Sequence, residues 1–313
     1  MQGVSVVIPV YRAAGTLRDL YGQLSIAMPQ IAPAFEIIFV EDCGGDESWS
    51  IIAELAEADE RVRGIRMSRN YGQHNVLLCG IRAARYDVIV TMDDDLQHPV
   101  SEIAPLVAAL GPDVDVVYGA PQSEPHGFLR NLASRMTKWA LASAMGAETA
   151  RSVSALRAFR TRLRDGFDEY RSPTVSIDVL LTWSTSRFAV VKVRHDPRSV
   201  GVSGYSLPRL VRHAITLMTG FSTLPLQISS FIGFALVLFG ASILLYVGIS
   251  FLVSSSDVPG FAFLASIIAI FSGAQLFALG ILGEYLARMH FRVMDRPTYV
   301  VSETATQDAT GAA

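Results

Sequence analysis

Asp87-Val88-Ile89-Val90-Thr91-Met92 runs without a spacer into Asp93-Asp94-Asp95-Leu96-Gln97-His98. Five apolar or β-branched residues in a row read as a strand buried on both faces, and the three carboxylates stand at its carboxyl end. Outward from this stretch the same pattern repeats. Upstream, Val4 to Ile8 is an apolar strand ended by Pro9, Leu17 to Met28 has helical periodicity, and Glu36 to Val40 is a second strand. Asp46 can cap a helix carrying Ile51, Ile52 and Leu55. Val62 to Met67 is strand-like and Val76 to Ala84 helical; downstream, Ile103 to Leu110 is helical and Val114 to Tyr118 strand-like. Such alternation predicts an α/β fold, a mostly parallel sheet covered by helices.

Ligands of such sheets sit beyond the carboxyl ends of the strands. The residues there are Pro9, Tyr11 and Arg12; Glu41 and Asp42; Ser68 to Gln73; and Asp93 to His98. No Gly-x-Gly-x-x-Gly opens the first turn and no Gly-Lys-Ser/Thr occurs, which removes the main support for dinucleotide and P-loop readings. Three adjacent carboxylates repel one another. A hard divalent cation with oxygen ligands would neutralise them and leave coordination positions for diphosphate oxygens. The alternative is an acidic helix N-terminus favoured by the helix dipole. Asp113-Val114-Asp115 has the same spacing but precedes a strand, and reads as a solvated turn.

Only 18% of the residues are charged, against about a quarter in soluble domains, and the deficit is local. Between His213 and Gly283 the one Asp, Glu, Lys or Arg is Asp257. Two spans, 228–253 and 259–282, exceed the roughly 20 apolar residues that cross a bilayer. Arg209 and Arg212 before them and Arg288, Arg292 and Arg296 after them predict a hairpin with both ends cytoplasmic. The N-terminus lacks a basic n-region and is not expected to be a signal peptide. Residues 207–221 mix Arg209, Arg212 and His213 with apolar residues and read as a helix in the headgroup plane. The expected units are 1–205, a soluble domain; 206–227, interfacial; 228–283, two transmembrane helices; 284–301, a cytoplasmic return; and 302–313, a disordered tail. A net charge of -3 argues against nucleic acid as a partner. The two cysteines, Cys43 and Cys79, suggest no disulfide framework.

Ile8-Pro9-Val10-Tyr11, Val40-Glu41-Asp42, Ser68-Arg69-Asn70-Tyr71-Gly72 and Asp93-Asp94-Asp95-Leu96-Gln97-His98-Pro99 resemble the family 2 glycosyltransferases of GT-A fold. Arg198 to Leu207, Phe221 to Leu226, Gly283 to Arg288 and Arg296-Pro297-Thr298-Tyr299 are similar to the bacterial polyprenyl-phosphate glycosyltransferases. Among these are undecaprenyl-phosphate glucosyl-, mannosyl- and aminoarabinosyl-type enzymes and the dolichyl-phosphate mannose synthases. The resemblance implies a nucleotide-sugar over Pro9, Tyr11 and Asp42, with Val40 and Glu41 lining the base and ribose pocket. It implies Mg2+ or Mn2+ on the catalytic Asp93 and Asp95, with Asp94 and Gln97 binding the nucleotide-sugar, Gln97 facing the sugar, and Asn70 and Gly72 as looser donor contacts. Arg198 and Ser203, with Arg209 as a further cation, are implied for the phosphate of a polyprenyl phosphate acceptor; a lipid-headgroup contact is the other reading of Arg198. A bacterial inner-membrane location, contact with membrane lipids and a possible homo-oligomer, tetrameric in some relatives, follow from the same resemblance. The expected donor is UDP-glucose or a related UDP- or GDP-hexose.

The chain departs from the pattern at Tyr11-Arg12-Ala13, at Cys43-Gly44 and at Gly204, which bears on donor identity and on the cations near the acceptor. It has no Gln-x-x-Arg-Trp, the signature of processive synthases in this family. A polyprenyl phosphate is already anionic at pH 7, so it needs placement and charge shielding rather than a general base. The expected reaction is in-line attack with inversion. A transferase acting on a lipid or polymer hydroxyl and a catalytically idle membrane scaffold are the competing readings. Residues 128–145 suit either a lipid-facing or a core-facing helix.

Overall fold

The apolar strand segments assemble into one mixed sheet in the computed structural model, which describes residues 3–121, 153–196, 219, 221, 223–253 and 260–307. In chain order the elements are β1 (Val4–Val10), α1 (Leu17–Ile31), β2 (Phe35–Glu41), α2 (Ser48–Ala58), β3 (Val62–Met67), α3 (Gln73–Ala83), β4 (Val88–Thr91), α4 (Ile103–Ala108) and β5 (Val116–Pro121). They continue with β6 (Arg157–Arg160), α5 (Ile177–Ser184), β7 (Phe188–Val193), α6 (Leu224–Val253), α7 (Phe261–Val293) and β8 (Val301–Ala305). The strand order is β7-β5-β6-β4-β1-β2-β3-β8.

The first four of the five strands read from sequence lie together and in parallel: β1 pairs with β2 and β4, and β2 with β3. Their carboxyl ends therefore open on one side. Both faces are covered. Val4, Val6, Ile8, Ile37 and Phe39 pack under Leu17, Leu20 and Leu24 of α1 and Ile52 of α2. Val7, Ile38, Val40, Ile65 and Ile89 pack under Val76, Leu77 and Ile81 of α3. Each such buried side chain contributes about 2 kcal/mol relative to exposure. Close approach of α3 depends on Gly80, where a Cβ would lie 2.3 Å from Val7 Cγ1. The cap position of α2 is Glu47 rather than the expected Asp46, which stands one residue earlier and accepts the Ser48 N–H at 3.2 Å and the Ser48 hydroxyl at 2.9 Å.

The sheet is less uniformly parallel than the alternation predicts. β6 runs antiparallel between β4 and β5, and β8 antiparallel beside β3. β8 corrects the expected tail: residues 302–305 form part of a strand at the edge of the sheet. Its pairing returns the chain to the sheet domain after the apolar helices, so that domain is not one continuous stretch of sequence. The expected solvated turn at Asp113–Asp115 is also corrected. Asp115 is buried and pairs with Arg160, Arg162 and Arg187 at the end of the sheet away from the acidic triplet.

α6 and α7 are long and apolar enough to cross a membrane, and neither apolar window is buried within the protein. With that much bare apolar surface this is a membrane protein. α6 begins four residues before the expected span, and α7 continues to Val293, so the first part of the expected return segment is helical. The i,i+4 ion pair Arg288–Glu284, 2.8 Å, lies within that extension. The stretch 128–145 and most of 206–227 lie outside the described residues.

Candidate active site

The loops after β1, β2, β3 and β4 meet at one edge of the sheet. Three of the four non-glycine residues with positive φ among the described residues stand in these loops: Arg12 (φ 55), Cys43 (φ 53) and Leu96 (φ 59). Such conformations persist where surrounding bonds enforce them. Here Arg12 Nε donates to the Gly44 carbonyl at 3.0 Å, and the Gly44 N–H donates to Glu41 Oε1 at 2.6 Å.

The acidic triplet is divided by its partners. Asp94 turns toward the first strand and accepts the Tyr11 N–H at 3.1 Å. Asp93 accepts Gln73 Nε2 at 2.7 Å, and Asp95 accepts the Gln97 N–H at 3.1 Å. Burial pushes the Asp94 carboxyl up to about 7, and the neighbouring charges of Asp93 and Asp95 add to it against the Tyr11 bond. Asp93 and Asp95, both half-buried, offer two hard oxygen donors of the kind Mg2+ or Mn2+ takes. Among the described residues no three His, Cys, Asp or Glu side chains form a ready cage.

The other predicted residues fall into two sets. Tyr11 is 48% exposed, and Pro9, Gly72 and Gln97 are half-buried around the triplet, with Asn70 exposed on the adjoining loop. Val40 and Glu41, expected to line a pocket, are 0% and 2% exposed. Val40 packs in the core under α3, and Glu41 supports the Cys43–Gly44 turn from beneath and lies 3.5 Å from Arg66. These two side chains are framework, because in a sheet covered on both faces the last strand residues are still inside. Asp42 is also buried, and its two oxygens accept the N–H groups of Tyr71 and Gly72 at 2.7 and 2.8 Å. Burial pushes its carboxyl up despite those bonds. Asp42, expected at the donor, thus clamps the next loop in this structure. Gly72, at φ 91, makes that clamp possible.

Arg198, Ser203 and Arg209 lie outside the described residues. The chain nevertheless comes back to the acidic turn just before them. The Asp196 N–H donates to the Gln97 carbonyl at 2.8 Å, and the His195 ring meets His98 edge-on at 4.9 Å. Burial lowers the His98 pKa, with the His195 charge a further cause.

Sequence reasoning missed two features. Gln73 sits in the quoted loop, but its reach to Asp93 depends on how α3 begins. Below the triplet lies a buried network: Arg157 pairs with Asp178 and donates to Thr91 Oγ1 at 3.0 Å, while the Tyr118 hydroxyl donates to Asp178 at 3.0 Å. Arg157 and Asp178 are 2% and 4% exposed. A lone Arg in a strand and a lone Asp at a helix start carry no signal that they meet.

A mixed sheet with an acidic turn at its ligand edge is the architecture of GT-A glycosyltransferases. The structure of glucosyl-3-phosphoglycerate synthase from Mycobacterium tuberculosis, in complex with Mn2+, uridine-diphosphate-glucose and phosphoglyceric acid, shares this fold. The two agree with a TM-score of 0.51 at 16% identity, covering 70% of this chain and 78% of that one. The profile of the glycosyl transferase family 2 matches residues 5–167, and the chain belongs to that family. It is a glycosyltransferase. Two relatives are named undecaprenyl-phosphate 4-deoxy-4-formamido-L-arabinose transferase. The one from Sodalis glossinidius is 34% identical over 97% of this chain and 94% of its own length. The one from Shewanella sediminis is 33% identical over 98% and 94%. The likeness thus runs through both the sheet domain and the apolar helices.

Proposed function

We propose that this protein transfers a sugar from a nucleotide-sugar to undecaprenyl phosphate at a bacterial inner membrane. The reading is carried by the likeness to undecaprenyl-phosphate transferases along nearly the whole chain, apolar helices included. The acidic turn at the ligand edge supports it. The relatives' names put 4-deoxy-4-formamido-L-arabinose ahead of the hexose expected from the family resemblance as the first sugar to test. Arginine flanks the apolar helices at both outer ends, which favours a hairpin with the catalytic domain and both termini cytoplasmic.

In this reading Asp93 and Asp95 hold Mg2+ or Mn2+. When bound, the cation would screen the donor diphosphate and stabilise the departing nucleotide. Tyr11, Asn70 and Gly72 border the donor, and Gln97 faces the sugar. Asp42 keeps the loop of Asn70 and Gly72 in place. Arg198, two residues beyond the Asp196 contact with the acidic turn, takes the acceptor phosphate with Ser203 and Arg209; a guanidinium makes paired bonds to phosphate oxygens. The lipid phosphate then attacks the anomeric carbon in line, the bond to the nucleotide diphosphate breaks, and the configuration inverts. Alignment and charge stabilisation supply the rate, with no proton to remove.

The test is transfer by the purified chain from a panel of labelled nucleotide-sugars to undecaprenyl phosphate, with and without Mn2+ or EDTA. An acid-labile lipid product, abolished in Asp95→Ala, is expected. Full activity of Asp95→Ala would refute the role of the acidic turn. An acid-stable product would instead favour transfer to a hydroxyl.

A further inference from the structure

The segment that follows the second apolar helix is bound to the ligand edge of the sheet domain at several points. Asn75 Nδ2, in the first turn of α3, donates to the Thr298 carbonyl at 2.7 Å, and Asn75 and Thr298 are both buried. The Ser68 N–H donates to the Val300 carbonyl at 2.9 Å. The Ser302 hydroxyl donates to the carbonyls of Arg66 and Met67 at 3.2 and 3.3 Å. Arg66 pairs with Glu303 at 3.2 Å.

These contacts bracket a single loop. Ser302 and Val300 hold its entry, at the end of β3, and Thr298 holds its exit, at the start of α3. Between them Tyr71 and Gly72 are clamped by Asp42, and Gln73 reaches Asp93. Fixing both ends of a short loop removes most of its conformational freedom. An ordered loop in turn holds the Gln73 amide against one carboxylate of the proposed cation pair, the kind of outer support that orients metal ligands.

We propose that residues 298–303 are a positioning element of the active site. The strap joins the membrane helices to the loop 68–73 and keeps Gln73 on Asp93. Its effect on the cation rests on the metal reading above; its effect on the loop does not. The strap also gives β8 a purpose beyond covering the edge of β3. The loop 68–73 is thus held at both ends only when the chain beyond the second apolar helix has returned to the sheet.

The test compares the full-length protein with a variant ending after Val300 and with Ser302→Ala, Asn75→Leu and Gln73→Ala, all in detergent well below their melting temperatures. Two readouts are taken: hydrogen exchange of the peptide covering residues 68–73, and Mn2+ affinity without donor, from the signal of free Mn2+. Loss of the strand is expected to speed exchange at Tyr71 and Gly72 and to weaken Mn2+ about tenfold. Gln73→Ala should weaken Mn2+ to a similar degree, and combining it with the deletion should add little. Ser302→Ala, which leaves the strand intact, should speed exchange to a smaller extent. Arg162→Ala, at the opposite end of the sheet, should lower the melting temperature without altering either readout. Unchanged exchange in both the deletion and Asn75→Leu overturns the proposal. Faster exchange in a protein whose wild type binds no Mn2+ keeps the strap as a loop-positioning element and sinks the metal reading instead.

Discussion

Asp113-Val114-Asp115 and Asp93-Asp94-Asp95 have the same spacing, and removing one charge from each should have opposite consequences. Asp115 is buried and accepts Thr185 Oγ1 at 2.7 Å, Arg162 Nη2 at 2.9 Å and Arg187 Nε and Nη2 at 2.9 Å each. Burial alone would raise its carboxyl, but the bonds from Thr185, Arg162 and Arg187 outweigh it and bring the pKa from 3.8 to about 2. The folded value lies below the unfolded one, so the unfolded chain takes up the proton first as pH falls. The stabilisation is complete above 3.8 and disappears as pH drops through about 2. The gap corresponds to about 2.5 kcal/mol, and solvent around the exposed Arg162 and Arg187 trims it to about 2 kcal/mol. Asp115→Asn keeps the shape and loses the charge. Denaturant unfolding can be followed by fluorescence of Trp49, Trp139 and Trp183, the three tryptophans, all of which precede the apolar helices. The variant should lose about 2 kcal/mol at pH 7, a deficit that shrinks below pH 4, with Mn2+ affinity unchanged. Asp95→Asn should do the reverse, losing Mn2+ while keeping stability. A deficit that is the same at pH 7 and pH 3, or a loss of Mn2+ binding in Asp115→Asn, would refute the assignment of the two motifs to different ends of the sheet.

The buried pair below the triplet should behave as a unit: Asp178→Leu alone leaves the Arg157 charge unmatched and should cost about 3–5 kcal/mol, whereas Asp178→Leu with Arg157→Met should recover most of it; equal losses in single and double variants in unfolding experiments would count against the pairing. Gly72→Ala forces a side chain onto a backbone at φ 91 and should destabilise by about 1 kcal/mol or more while weakening donor binding in calorimetry; a variant as stable as wild type would contradict the left-handed turn. Cys79 is buried with its thiol pushed up to about 12 by desolvation, and Cys43 is exposed beside Gly44. Maleimide should therefore label Cys43 alone, and saturating nucleotide-sugar with Mn2+ should slow the labelling; labelling unaffected by donor would place the nucleotide elsewhere.

What could be read in the sequence, and what could not, divides along physical lines. Apolar runs such as Val88 to Met92 and the polar residues directly after them report strand ends locally, so the four parallel strands and the ligand edge were legible. The role of each polar residue at that edge was not. Glu41 and Asp42 are adjacent acids after an apolar strand, and nothing in their order says that one supports a turn from beneath while the other clamps Tyr71 and Gly72. Those roles depend on where neighbouring loops cross. The same holds for Arg157 and Asp178, whose pairing across the core becomes visible only once β6 lies beside β4. β8 is the sharpest case. Val301-Ser302-Glu303-Thr304-Ala305 has the polar composition of a tail, because an edge strand exposed to solvent needs no apolar alternation. Its stability comes instead from pairing with Gly64 to Met67, more than two hundred residues away in sequence. A segment whose structure is set wholly by such a distant partner leaves no local signature. In this chain it is also the segment on which the order of the loop facing Asp93 depends.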